Sequence, residues 1–421
     1  MGAALPAQPA RLAATVTCVM WIKRTALLCT AAAMLCAAGP AAPALALNKP
    51  SLQKKITAAL AHVGTQTGAI VTDLTTRETL YASRADVLRI PASVEKLYTT
   101  STALIRFGPT ARLSTTLLAS GSIDASGVLT GNLILRGGGD PTLSGNEINT
   151  LAQAAATAGI KRIKGAVIGD ESRFDPRRGG PNSSWSPDGY IGGSLGGLVV
   201  DRGSSDYANP GLAGAKALAA ALNRRHISRS VQTQLGLTPR GARVLNVLRS
   251  PTMASLIQQT NTPSDNFLAE MLLKNIGASF GGSGTTPAGV RVVQSLLSGL
   301  QIHPQISDGS GLSSADRTSP RQVVALFAAM HASAQPAAFE NSLAIAGQTG
   351  TLAGRMSGTA ADGRCHGKTG TLSSVSSLVG ICHAPNGHLI AFAMLMNGVT
   401  PDRVHGPQDK VAEAIAQYSG P

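Results

Sequence analysis

Apolar residues recur at helical spacing over residues 51–63 and predict an amphipathic helix. Two short runs follow, residues 68–74 and 78–82, and predict the strands of a hairpin. A third apolar stretch starts behind Pro91 and carries a helix to about Phe107, because proline fits the first turn of a helix and not its interior. From 108 to 249 the pattern changes. Short alternating runs (114–118, 131–135, 166–168) predict strands, residues 151–158 and 215–222 predict helices, and the Gly-rich stretches 178–184 and 192–197 predict ordered loops. Helical spacing returns over 255–276, broken at Asn261-Thr262-Pro263 and restarting at Ser264. Helices over 290–300 and 320–331 flank a tight turn at 308–313. Strands over 364–371, 376–383 and 388–396 precede a helix over 408–418. The expected class is α+β, with one domain formed by 47–107 and 250–421 and a second domain, 108–249, inserted into it.

The N-terminus lies outside this pattern. Lys23 and Arg24 precede an apolar run to Ala38, and Ala44-Leu45-Ala46 supplies an A-x-A cleavage pattern. Residues 1–46 therefore read as a secretory signal peptide, for which Met20 is a better start than Met1; the alternative is a retained anchor. Removing the leader takes three bases (Arg11, Lys23, Arg24) and no acid from a formal charge of +14, leaving +11. An exported chain of that charge is expected to associate peripherally with polyanions, wall polymers or anionic lipid headgroups. The charge is spread as a solvated surface, and no basic run is interleaved with aromatics, so nucleic acid is not expected as a partner. Only Cys365 and Cys382 survive cleavage, in a compartment that permits disulfides. They are symmetric about a turn at Ser373-Ser374, so a tight hairpin places them face to face and predicts a disulfide. The histidines are scattered, no metal-ligand spacing occurs, and no cofactor is expected.

The candidate chemistry begins at Ser93-Val94-Glu95-Lys96. A serine at a helix entry has backbone N–H groups and the positive dipole end beside it. A lysine one turn on shares its face, and once desolvated it can accept the serine proton. Alone the pattern is weak: Ser51-Leu52-Gln53-Lys54 repeats it on a predicted surface helix and reads as chance. What distinguishes Ser93 is that Ser264-Asp265-Asn266 and Lys368-Thr369-Gly370 follow in order, the first at a helix cap and the second in a strand. Ser144-Gly145-Asn146 is a decoy for the second motif.

These three motifs resemble those of penicillin-binding proteins and serine β-lactamases. Gly137-Gly138-Gly139-Asp140-Pro141, Gly169-Asp170-Glu171-Ser172-Arg173-Phe174, the run from Ser264 to Glu270, Asp308 to Ser313 and Gly350 to Met356 narrow the resemblance to the S13 peptidases, the class C low-molecular-mass penicillin-binding proteins. It covers nearly all of the chain after the leader. It implies a β-lactamase/transpeptidase-like domain, an antiparallel sheet flanked by helices, interrupted by an insertion. It implies a D-Ala-D-Ala carboxypeptidase or endopeptidase acting on peptidoglycan stem peptides and acylated by β-lactams. Ser93 would be the nucleophile and Lys96 its base. Ser264 would bridge Lys96, Lys368 and the leaving amine. Asn266 would hold Lys96 and the substrate's acyl-side amide. Lys368 would face the substrate carboxylate, with the Thr369 hydroxyl as hydrogen-bond partner. Gly370 would let substrate backbone lie against the strand, and the N–H groups of Ser93 and Thr371 would hold the oxyanion. Asp188, in Trp185-Ser186-Pro187-Asp188, would bind the free amine of a diaminopimelate side chain; the alternative is a plain turn aspartate. A serine β-lactamase is the rival enzyme, but Glu270, the nearest downstream acid, does not match the glutamate of that class. The other rival is a catalytically silent wall-binding protein.

Overall fold

The computed structural model describes residues 46–420, so the expected leader lies outside them but for its last residue. Six strands form one antiparallel sheet in the order Ala344–Ile345, Cys365–Leu372, Val375–His383, Leu389–Asn397, Thr67–Asp73 and Thr79–Ser83. Strands from the two ends of the chain meet at its centre, where Val71 pairs with Phe392.

Both faces of this sheet are covered, and the near-continuous apolar run of Leu389–Asn397 follows from that. Its odd positions Ala391, Ala393 and Leu395 enter a core with Leu97, Leu104, Leu273 and Phe327. Its even positions Ile390, Phe392 and Met394 enter another with Leu52, Ile56, Val411 and Ile415. The first core is filled by helices Lys96–Phe107, Met253–Asn261, Asn266–Phe280, Thr286–Gly299 and Pro320–His331, the second by Lys49–Leu60 and Pro401–Ala416. Burying one such aliphatic or aromatic side chain contributes roughly 1.5–3 kcal/mol. Among the described residues no helix is long and apolar enough to cross a membrane.

Cys365 pairs with Cys382 in the register of the hairpin, and their sulfurs are bonded, with Cα atoms 4.1 Å apart. The Arg364 carbonyl accepts from the His383 N–H at 3.0 Å, which makes the adjacent cysteine pair a non-hydrogen-bonded one.

Residues 114–249 build two smaller sheets. One has five strands in the order Gln234–Leu235, Val167–Asp170, Leu133–Arg136, Ser114–Ala119 and Arg243–Arg249; the other has four short ones. Helices Gly145–Thr157 and Pro210–Asn223 close a core on Leu117, Leu135, Leu151, Val167 and Leu218. The first of these helices starts six residues before the predicted 151. Ser144 and Glu147 form a capping box there, so the serine of the decoy motif is a helix cap. The last helix runs through Pro407 from Pro401, where proline reads as a break in the sequence. Ser51 and Lys54 are exposed on helix Lys49–Leu60, which begins earlier than predicted because Asn48 caps it.

Candidate active site

Residues Ala92–Glu95 form a 3-10 turn that runs directly into helix Lys96–Phe107. Ala92 has φ 51°, a left-handed conformation that costs a non-glycine residue about 1–3 kcal/mol and clusters at functional sites. The turn leaves Ser93 partly exposed while Lys96 is fully buried. Lys96 Nζ lies 2.9 Å from Ser93 Oγ, 2.6 Å from Asn266 Oδ1 and 2.6 Å from the Ser310 carbonyl. Burial pushes its pKa down from 10.5 to about 8, against the opposing pull of the carboxyl groups of Asp308, Glu270, Asp265 and Glu95. An amine with three such neighbours has a defined geometry when neutral. Two hydrogens go to Asn266 and Ser310, and the lone pair faces Ser93.

The second motif is set by a chain reversal. Asp265 is the N-cap of helix Asn266–Phe280, accepting the Leu268 N–H at 2.9 Å, and Arg202 pairs with its other oxygen at 2.5 Å. Ser264, just before the cap, has φ 68°, and its Oγ accepts a hydrogen bond from Lys368 Nζ at 2.7 Å. Among the described residues Ser264 has no hydrogen bond to Lys96, so the expected bridge is present on the Lys368 side alone. Asn266 holds Lys96 by its oxygen and donates from Nδ2 to the Tyr190 carbonyl at 2.7 Å, leaving one amide hydrogen for a ligand.

Strand Cys365–Leu372 brings up the third motif. Lys368 is fully buried, and burial followed by the nearby charge of Lys96 pushes its pKa well below the usual range. It bonds the Thr369 carbonyl, whereas the Thr369 hydroxyl meets Thr351 Oγ1 at 2.9 Å instead of Lys368. Gly370 serves the protein's own backbone: a Cβ there would stand 2.4 Å from the Pro91 carbonyl and 3.2 Å from the Ser93 nitrogen. The alternation fixed at Arg364 and His383 turns the N–H and C=O of Thr369 and Thr371 away from Val375–His383. On that side Ala344–Ile345 covers only His366 and Gly367, so the edge beyond Lys368 is open.

The chain between the small sheets reaches this cleft. Asp188 accepts the Tyr190 N–H at 2.9 Å and, by its carbonyl, the Ile191 N–H, forming the turn that hands the Tyr190 carbonyl to Asn266. Tyr190 itself is 79% exposed beside the site. The segment is anchored to helix Asn266–Phe280 by Arg202 over the Phe267 ring, by Lys274 on Asp175 at 2.6 Å, and by Gly193 against Phe267. Sequence reasoning missed the Tyr190 and Ser310 carbonyls, because a backbone acceptor has no residue signature.

A family model described as D-Ala-D-Ala carboxypeptidase 3 (S13) matches residues 52–204 and 202–418. The chain is 29% identical to a D-alanyl-D-alanine carboxypeptidase of Actinomadura sp. (strain R39), over 85% of this chain and 82% of that one. It is 30% identical to carboxypeptidase DacB of Mycolicibacterium smegmatis, over 84% and 81%. The crystal structure of penicillin binding protein 4 from Haemophilus influenzae superposes with a TM-score of 0.75 at 19% identity, covering 87% of this chain and 98% of that one. With the fold and the family model in agreement over almost all the described residues, the chain belongs to the D-Ala-D-Ala carboxypeptidase 3 (S13) family.

Proposed function

We propose that this protein is an extracytoplasmic serine D-Ala-D-Ala carboxypeptidase, with endopeptidase action on cross-linked stem peptides, and that β-lactams inhibit it by acylating Ser93. The observation that carries the reading is the buried Lys96 amine, 2.9 Å from Ser93 Oγ, with Asn266 Oδ1 and the Ser310 carbonyl each 2.6 Å away to accept its hydrogens. Ser93 Oγ attacks the carbonyl between the two D-alanines as Lys96 takes its proton. The oxyanion forms between the N–H groups of Ser93 and Thr371. The C–N bond breaks, the D-alanine amine leaves with a proton relayed through Ser264, and water hydrolyses the ester. Burial disfavours the Lys368 ammonium and a substrate carboxylate beside it favours that ammonium, so binding and protonation reinforce each other. The stem peptide lies along the open edge at Thr369 and Thr371 as an added strand.

Intact mass after incubation with benzylpenicillin tests the reading. A one-to-one adduct that lasts minutes is expected. Hydrolysed penicillin without a lasting adduct would identify a β-lactamase, and neither product would favour a silent wall-binding protein.

We place the amine end of a diaminopimelate side chain at Asp188, where a carboxylate beside an ammonium is favourable. Its position in the turn that contacts Asn266 supports this. Asp188→Asn is expected to raise KM about tenfold for a stem peptide with a free side-chain amine, in line with the loss of one charge-assisted pair. An equal change for a substrate lacking that amine would refute the assignment. Residues 108–249 are proposed as an inserted domain, and the basic surface as a peripheral contact with wall polymers or membrane.

A further inference from the structure

Helix Asn266–Phe280 carries a second buried group toward the site. One turn beyond Asn266, Glu270 is 1% exposed. Its Oε1 accepts the N–H groups of Gly309 and Ser310, each at 2.9 Å. The same Ser310 residue presents its carbonyl to Lys96 at 2.6 Å. Asp308 closes the turn from inside, accepting the N–H groups of Ser310, Gly311 and Ser313 at 3.1, 2.7 and 2.8 Å. Gly311, at φ 79°, lies so close to the nucleophile turn that a Cβ would stand 2.0 Å from the Ala92 carbonyl. A rigid turn, held from below by two carboxyl groups, thus touches both Lys96 and the residue before Ser93.

We propose that Glu270 is a positioning residue for acylation, which fixes the Ser310 carbonyl as the acceptor that aims the Lys96 lone pair at Ser93. Neutral Lys96 has two hydrogens and three oxygen neighbours, so its orientation depends on which oxygens compete best. Asn266 Oδ1 and the Ser310 carbonyl must both outcompete Ser93 Oγ. A carbonyl held rigidly at 2.6 Å does so, and one on a mobile turn does not. Electrostatics adds a second effect. Lys96 is faced by Glu95 from its own turn, Asp265 and Glu270 from helix Asn266–Phe280, Asp308 from the turn, and Lys368 from the strand. Glu270 in turn faces Asp308 and Lys96, with Asp316, Glu95 and Lys274 near it. Burial and then Asp308 raise its pKa to about 7. A Glu270 carboxylate favours the Lys96 ammonium. Its removal must lower the Lys96 pKa.

The test is the pH dependence of acylation by benzylpenicillin, followed by intact mass on the full chain, for wild type, Glu270→Gln and Glu270→Ala. Glutamine keeps an acceptor for both N–H groups and puts its amide nitrogen where Oε2, buried without a hydrogen-bond partner among the described residues, now lies. It is expected to slow the plateau rate about threefold and to move the acid limb down by about half to one pH unit, because a like-sized change in ammonium pKa follows loss of a nearby carboxylate. Alanine removes the acceptor and is expected to slow the plateau about thirtyfold or more, the scale of a misplaced catalytic group. Partial rescue by glutamine together with a shifted limb is the result a merely structural role would not give. Plateau rates for both variants within twofold of wild type, or an unmoved limb in Glu270→Gln, would overturn the proposal. If the alanine variant does not fold, the limb of the glutamine variant decides alone. The proposal rests on Ser93 as the acylated residue. Absence of an adduct in wild type would defeat that reading, whereas a wild-type adduct with insensitive variants defeats only the role of Glu270.

Discussion

Ser93→Ala is expected to abolish the benzylpenicillin adduct and to lower D-Ala-D-Ala carboxypeptidase activity by about 10⁴- to 10⁶-fold, the scale on which serine peptidases fail without their nucleophile. No neighbouring group can replace it. Lys96 is fully buried, and Ser264 Oγ is engaged by Lys368 at 2.7 Å. The fold should be spared, because Ser93 is partly exposed and its hydroxyl is only one of the three oxygen neighbours of Lys96 Nζ. Intact mass gives the first readout and a melting curve the control. A persisting adduct on Ser93→Ala, at the wild-type rate, would remove Ser93 from the mechanism.

Lys96→Ala is expected to slow acylation about 10³-fold, within the range for loss of a positioned general base. Wild-type acylation is expected to rise with pH and level off above about pH 8. The sign follows from the role. A base must be neutral, burial has lowered the Lys96 pKa to about 8, and each step of pH below that protonates more of it. At neutral pH about one molecule in ten would carry the free amine, against about one in three thousand for an unperturbed lysine. Lys96→Arg should fare no better than alanine, since guanidinium stays protonated throughout this range. The measurement is the second-order acylation rate between pH 6 and about 9, a window that brackets the shifted amine. A flat profile would mean that another group takes the proton.

How much could be read in advance differs from element to element. The serine–lysine pair, the helix cap at Asp265 and the lysine strand are each short local patterns, and it was their order along the chain, with the family resemblance, that singled them out from chance copies such as Ser51 and Lys54. The central strand Leu389–Asn397 was plain because both its faces are buried and its residues are apolar without a break. Two-residue strands such as Arg162–Ile163 and Ser228–Arg229 were illegible, since nothing in so short a run separates strand from loop. The helix expected over 151–158 was legible, but its start at Gly145 was not, because Gly145 and Asn146 are poor helix formers and only the cap at Ser144 and Glu147 begins the helix there. Within the site, what escaped was contributed by main chain. The carbonyls of Ser310 and Tyr190 are fixed by tertiary packing, one through Glu270 and the other through the Asp188 turn. Gly370 was legible as a required glycine, and the close approach of the Pro91 carbonyl adds a reason the sequence did not show.

The central pairing of Thr67–Asp73 with Leu389–Asn397 joins segments more than 300 residues apart. It also imposes an order on assembly. During synthesis the hairpin of Thr67–Asp73 and Thr79–Ser83 has no partner for its inner edge until Leu389–Asn397 has been made. Ser93 and Lys96 are in place long before the strand that carries Lys368. Contacts of such sequence separation form late and slowly. A nascent or truncated chain that ends before Leu389 therefore holds the nucleophile without its full sheet, and the cleft is complete only once that strand has been made.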